Sequence, residues 1–282
     1  MSNNRKVEFV KNENPKSENT QPASQSGSGF NRLWLTEEYQ KLQLKLREGD
    51  NLVRFFPPIA GTSNPTFILP LLVGKIDQTE FVTAIGDEAV NISNRVARDN
   101  SPLSQAYWWF YKNQKDRLFD ARNNPNGFRL RPKQVGLSWV IAFNEDRHPM
   151  VRLLSGSLYS GDKGTKGVLG DVILKSKEED VDPISGEKTP KFGDISDPEK
   201  GNFVNITKVK NAEERDPIKA VSYKVTISTK TSPTLHELLE KVSGEDLDKV
   251  IPLDQVVGTA EDELQKQLLE EYLGGYYKEI FG

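Results

Sequence analysis

The 282-residue chain has no cysteine and only two histidines, His148 and His236. The first absence excludes disulfides, thiolate nucleophiles and thiolate zinc sites, and the second excludes a histidine-rich metal cluster. No apolar run approaches the roughly 18 residues that a membrane span requires. The N-terminus, MSNNRKVEFVKNE, has no apolar signal core. The expectation is a soluble, cytoplasmic protein with no membrane partner and no cofactor. No segment fits a phosphate-binding loop, and no nucleophile–base pair stands out, so the chain does not read as an enzyme. Hydrophobic residues make up only 35% of it, which leaves part of the length to arms, linkers and loops.

The formal charge of −3 hides a split: residues 236 to 282 hold twelve acids and four bases, a net −8, so the remainder carries a net +5. The positive charge is concentrated between Asn91 and Val135, where nine Lys or Arg face three Asp. Tyr107, Trp108, Trp109, Phe110, Tyr111, Phe119 and Phe128 lie among those cations. Interleaved cations and rings suit a single nucleic-acid strand, the cations meeting phosphates and the rings meeting unstacked bases.

Ser101-Pro102 opens a predicted helix running to about Ala121. Leu103, Tyr107, Phe110, Gln114, Leu118 and Ala121 form its expected core stripe. Trp108, Lys112, Lys115, Phe119 and Arg122 share the opposite face, as a binding surface or as core aromatics with solvated lysines. Asn123 to Gly127 is a turn, and Phe128 to Phe143 is predicted as one long strand. Arg129, Arg131 and Lys133 have one parity on that strand and form a cation ladder. Leu137, Trp139, Ile141 and Phe143 share the parity but require a core, so a bulge is expected at Gly136.

Elsewhere the pattern is of antiparallel strands. Leu42, Leu44 and Leu46, a turn at Glu48 to Asn51, and Leu52 to Phe56 predict a hairpin ended by Pro57 and Pro58. Thr66–Leu72, Glu80–Ile85, Pro149–Leu154, Phe203–Lys210 and Ala220–Ser228 predict further strands. The Gly-rich stretch after Leu154 reads as a connection, and residues 175 to 201 read as a polar excursion. The end of the chain turns helical: Ser232-Pro233 opens one helix, and Thr259 with Asp262 resembles a capping box. Leu264, Leu268, Tyr272 and Tyr276 form one face of that last helix, and Gly274-Gly275 is expected to fray it. This region either packs on the body or offers an acidic, apolar-striped segment to partners.

The order of features resembles the single-stranded-DNA-binding, helix-destabilising proteins of T-even-type bacteriophages. The likeness rests on LKLREGDNLVRFFPP, RLRPKQVGLSWVIAF, GDISDPEKGNFVNITKVK and the acidic C-terminal region. It implies an oligonucleotide-binding (OB-fold-like) antiparallel barrel, mainly β within an α+β class, with an inserted helical subdomain. A basic arm at residues 1–31 would support cooperative self-association. Residues 32–232 would be the nucleic-acid-binding core with the insert at about 87–127, and residues 233–282 the acidic region that recruits replication and recombination proteins. Arg129, Arg131 and Lys133 would line the strand-binding cleft with Arg54 close by; Phe128 is counted as a strand-binding ring on the cation–aromatic pattern alone. The family's zinc-ligand subdomain is missing: between Phe81 and Arg131 there is neither Cys nor His, so the insert must be held by packing. The expected function is sequence-nonspecific binding of single-stranded DNA in phage replication, recombination or repair. The alternative is a viral assembly protein.

Overall fold

The computed structural model describes residues 31–86, 100–120, 123–159, 167–211, 221–230 and 232–282. The expected basic arm at residues 1–31 lies almost wholly outside them, as do Ala121 and Arg122.

The centre of the fold is the eleven-residue strand Lys133–Phe143, here β5, numbered with its fellows in chain order. Its residues alternate between two apolar cores, which is why nine consecutive positions are buried. Leu137, Trp139 and Ile141 face one cluster, and Val140 and Ala142 face another. One edge of β5 is shared in succession: its first half pairs with β3 (Leu69–Ile76), its second half with β2 (Gly49–Phe55). The other edge pairs from Val135 to Phe143 with β6 (Pro149–Ser157). Beyond β2 lies the hairpin β9 (Phe203–Lys210) and β10 (Val221–Ile227). Beyond β3 lies β4 (Thr79–Ile85), joined by the two-residue parallel strand β1 (Asn31–Arg32). The fold is therefore α+β with a mainly antiparallel sheet, as expected of an OB-fold-like chain, but the sheet does not close into a barrel.

Helices cover the sheet. On the first core lie α1 (Glu37–Lys41), α4 (Leu235–Leu239), α5 (Gly244–Leu247) and α6 (Leu253–Val256). The Trp139 indole donates to the Ile251 carbonyl at 2.8 Å, tying this layer to β5. The second core is covered by α3 (Val168–Ser176). A third cluster joins α2 (Pro102–Asn113) to α7 (Asp262–Leu273) and α8 (Gly275–Phe281). Among the described residues no helix is long and apolar enough to cross a membrane.

Several local expectations change. The Leu42–Leu46 segment does not form a hairpin with β2; it runs parallel beside β6, with Leu44 donating to the Leu153 carbonyl at 2.8 Å. Burial of Leu42 outweighs the local turn signal. Gly136 carries no bulge, since the register with β6 and β3 is unbroken there. It is glycine because α3 and its approach lie close: an added Cβ would stand 2.7 to 2.9 Å from Ile68, Leu158 and Leu169. The irregularity falls instead in the β3–β4 pairing, between Leu72 and Val73. Helix α3 begins in the last residues of the Gly-rich stretch expected to be a connection and runs beyond it, and the excursion after it contains a separate hairpin, β7 (Glu179–Val181) with β8 (Lys188–Pro190). The capping box belongs to Thr234 and Glu237 rather than to Thr259, and α7 starts at Asp262 without a side-chain cap. Gly274, at φ +56°, does not fray the end; it turns α7 into α8.

Candidate nucleic-acid interface

The expected binding helix is real but shorter. The Ser101 hydroxyl accepts from the Ser104 amide at 3.2 Å, as the Ser-Pro start predicts. The helix ends at Asn113, Gln114 leaves helical geometry, and Lys115–Arg117 is a 3-10 turn. The cause is tertiary: Leu118 is drawn into the third core, and residues 117 to 119 pair with Phe128, the Phe128 amide donating to the Arg117 carbonyl at 2.7 Å. Trp108, Lys112, Lys115 and Phe119 therefore do not share one helical face. Trp108 joins a surface ring cluster with Tyr107 and Tyr111, at centroid distances of 5.1 and 5.2 Å. The Lys115 ammonium lies 4.7 Å from the Tyr111 ring centre, and Lys112 is exposed one turn along from Trp108. Phe119, 39% exposed, carries the Arg129 guanidinium 4.6 Å above its ring. Arg122 lies outside the described residues.

Two residues of the expected set do other work. Phe128 packs against Phe110, Tyr272 and Tyr276 at 5.1, 5.6 and 5.7 Å, so its ring is committed to the third core. Arg54 is a correction: it is 0% exposed. Its guanidinium donates to the Ile195 carbonyl at 2.6 Å and to the Asp197 carbonyl. Burial holds the guanidinium below its usual pKa, opposed by Asp197 and Asp194. A Cβ at Gly201 would collide with it. On β2, position 54 faces inward beneath the 194–201 loop, where it fastens backbone rather than meeting solvent.

The cation ladder survives in an altered form. Pro132 separates β5 from Arg129–Arg131, and this short piece continues beside the end of β3 through Arg131 to the Lys75 carbonyl at 3.1 Å and Asp77 to the Arg129 carbonyl at 3.2 Å. Alternate residues on an extended chain are about 6.7 Å apart, so Arg129, Arg131 and Lys133 form a spaced row. Lys133 Nζ lies 2.7 Å from the Glu80 carboxylate. Burial holds the neighbouring Lys75 amine below its usual range; Glu80 opposes this, and Lys133 and Arg129 add to it.

Arg131 and Lys133 border an open groove of about 490 Å³. Its other walls are the end of β6 (Ser155 to Ser157), Tyr159, the start of α3, Lys208 on β9, Val221 and Tyr223 on β10, and Leu44 with Leu46. Strands β6 and β10 do not pair, and α3 packs against both, so the groove occupies the place where a closed barrel would be sealed. Tyr223 is half-buried, and burial pushes its hydroxyl pKa up. Lys208 Nζ donates to the Leu46 carbonyl at 3.0 Å. Sequence reasoning missed Tyr159, Tyr223 and Lys208. The alternation of Val221, Tyr223, Val225 and Ile227 was visible, but it signals only a strand face. Among the described residues no cluster of three or more His, Asp or Glu is placed to hold a metal ion. No protein-family model matches the chain, and no curated protein matches it.

Proposed function

We propose that this protein binds single-stranded DNA without sequence specificity. The observation that carries the reading is the row Arg129–Arg131–Lys133 leading into a groove bordered by Lys208 and by two tyrosines, Tyr159 and Tyr223. A strand would lie with its phosphates along the cations and bases against Tyr223, Tyr159 and, at the outer end, the Phe119 and Trp108 rings. A groove of about 490 Å³ falls within the roughly 300–1,000 Å³ of small-ligand sites, room for a nucleotide or two at a time. Each stacked base contributes about 1–3 kcal/mol. The resemblance to phage helix-destabilising proteins agrees with this reading and adds a role in replication, recombination or repair, with the acidic C-terminal helices meeting the other replication proteins.

The test is a titration with a short oligothymidylate and with a duplex of equal length, followed by tryptophan fluorescence at low and moderate salt. Expected are quenching by the single strand, a weaker response to the duplex, and log K falling with log salt at about −0.7 per phosphate contacted. Absence of binding at low salt, or an affinity independent of salt, overturns the reading.

A further inference from the structure

The hairpin Glu179–Pro190 stands apart from the main sheet, and all its strand residues are exposed. Ile184 at its tip is 95% exposed and Val181 56%. Isolated two-stranded hairpins are marginal in water, yet this one is firmly built. Asp182 Oδ1 accepts from the Ile184 and Ser185 amides at 2.8 and 2.7 Å, the Asp182 amide donates to the Glu187 carbonyl at 2.9 Å, and Lys188 lies 3.6 Å from Glu179. Gly186, at φ +71°, supplies the left-handed residue of the turn. An apolar side chain held in water on an ordered projection gains nothing within its own chain, while the order lowers the entropy cost of meeting a partner. Four acids, Glu179, Asp180, Asp182 and Glu187, surround it against Lys188 alone. That charge repels a phosphate backbone and calls for a basic-rimmed apolar receptor.

The chain contains one. The groove between β6 and β10 has Leu44, Leu46 and Val221 on its walls with Arg131, Lys133 and Lys208; among the described residues no acid lines it, though Glu80 lies 2.7 Å from the Lys133 ammonium. Its border includes Val168 at the first turn of α3, while the hairpin leaves from that helix's other end, roughly 13 Å away at 1.5 Å per residue. The exposure of Ile184 shows that the tip does not occupy its own groove.

We propose that the hairpin of one copy seats Ile184 in the groove of a second copy, and that single-stranded DNA and the hairpin exclude one another there. The DNA half of this statement rests on the function proposed above; the contact itself does not. Knob and groove are different surfaces, so the association is head-to-tail and open-ended rather than a closed two-fold dimer.

Sedimentation velocity on the full chain, over a concentration series at low salt, tests it. The sedimentation coefficient of the wild type should rise with concentration and fall back with added salt. Ile184→Asp, at a solvent-exposed site, should keep the monomer value and bind oligothymidylate at least as tightly as wild type, since the competing contact is gone. Lys208→Glu should also abolish association, and Asp180→Lys added to it should restore part of it. A saturating oligothymidylate too short for two proteins should return the wild type to one-protein complexes. A wild type that stays monomeric, or an Ile184→Asp variant that associates like wild type, overturns the contact; association that persists in protein carrying bound oligonucleotide overturns the mutual exclusion. Ile184-dependent association in a protein that fails to bind oligothymidylate supports the contact and sinks the DNA reading instead.

Discussion

Replacing Arg54 by methionine separates a fastening role from a DNA-binding one. The side chain is fully buried and donates to the carbonyls of Ile195 and Asp197. Hydrogen bonds from a charged donor contribute about 1.5–3 kcal/mol each, and carbonyls left unpaired in the interior add their own desolvation cost. Against this stands the relief of no longer burying a charge, which burial already penalises in the depressed pKa of the guanidinium. Methionine keeps part of the apolar stem, so the net loss is about 3 kcal/mol. At roughly 2–4 °C per kcal/mol for a chain of this order, the melting temperature falls by about 6–12 °C. Differential scanning calorimetry reads that shift, and the oligothymidylate titration is repeated well below the lowered midpoint. There the affinity and salt slope should match wild type. An unchanged melting temperature with a salt slope shallower by about 0.7 would place Arg54 on a phosphate and refute the reasoning.

Three further outcomes are expected. Tyr223→Leu keeps an apolar side chain against the second core but removes a stacking ring, so oligothymidylate affinity should drop by about 1–3 kcal/mol in fluorescence titrations, with the salt slope unchanged. Phe110→Ala removes a fully buried ring that touches Phe128 and Tyr276; a cost of about 3–5 kcal/mol should fall on the third core, seen as lost amide-exchange protection in α2, α7 and α8 before the sheet. The Asp182 carboxyl is held below its usual 3.8 by the Ser185 and Ile184 amides and the Ser185 hydroxyl, so its support of the hairpin is present above that value and disappears as pH falls through the lower folded-state pKa. Protection of the Ile184 and Ser185 amides, measured relative to their intrinsic exchange rate at each pH, should be lost in that acid range only; loss beginning near neutrality would contradict the assignment.

Strand positions were legible because period-two alternation survives in any sheet: Phe203–Lys210 and Val221–Ile227 fall where expected. The Ser101-Pro102 start was likewise legible, since a cap and a first-turn proline act within one turn. The helix end was not. Nothing local stops α2 at Asn113; the pairing of residues 117 to 119 with Phe128 does, and that pairing is closed by a core that includes residues more than 140 positions away. Arg54 failed for the same reason. A cation in an alternating strand looks solvent-facing until a distant loop, here 194–201, covers it.

The sequence by itself determined composition and rhythm: no thiol chemistry, a cation-rich and aromatic-rich middle, an acidic helical end, and strands whose alternation marks a buried face. Tertiary structure decided which of those cations and rings meet. It sent Arg54 and Phe128 inward and docked the acidic end, with Tyr276 on Phe110 of the aromatic helix and Tyr272 on Phe128. It also brought Arg131 and Lys133 to the same groove as Lys208, Tyr159 and Tyr223, residues as far as 92 positions apart. The physical reason is range. Caps, turns and alternation are set by neighbours within a few residues, whereas burial and the facing of surfaces are set by whichever distant segment covers the remaining apolar area.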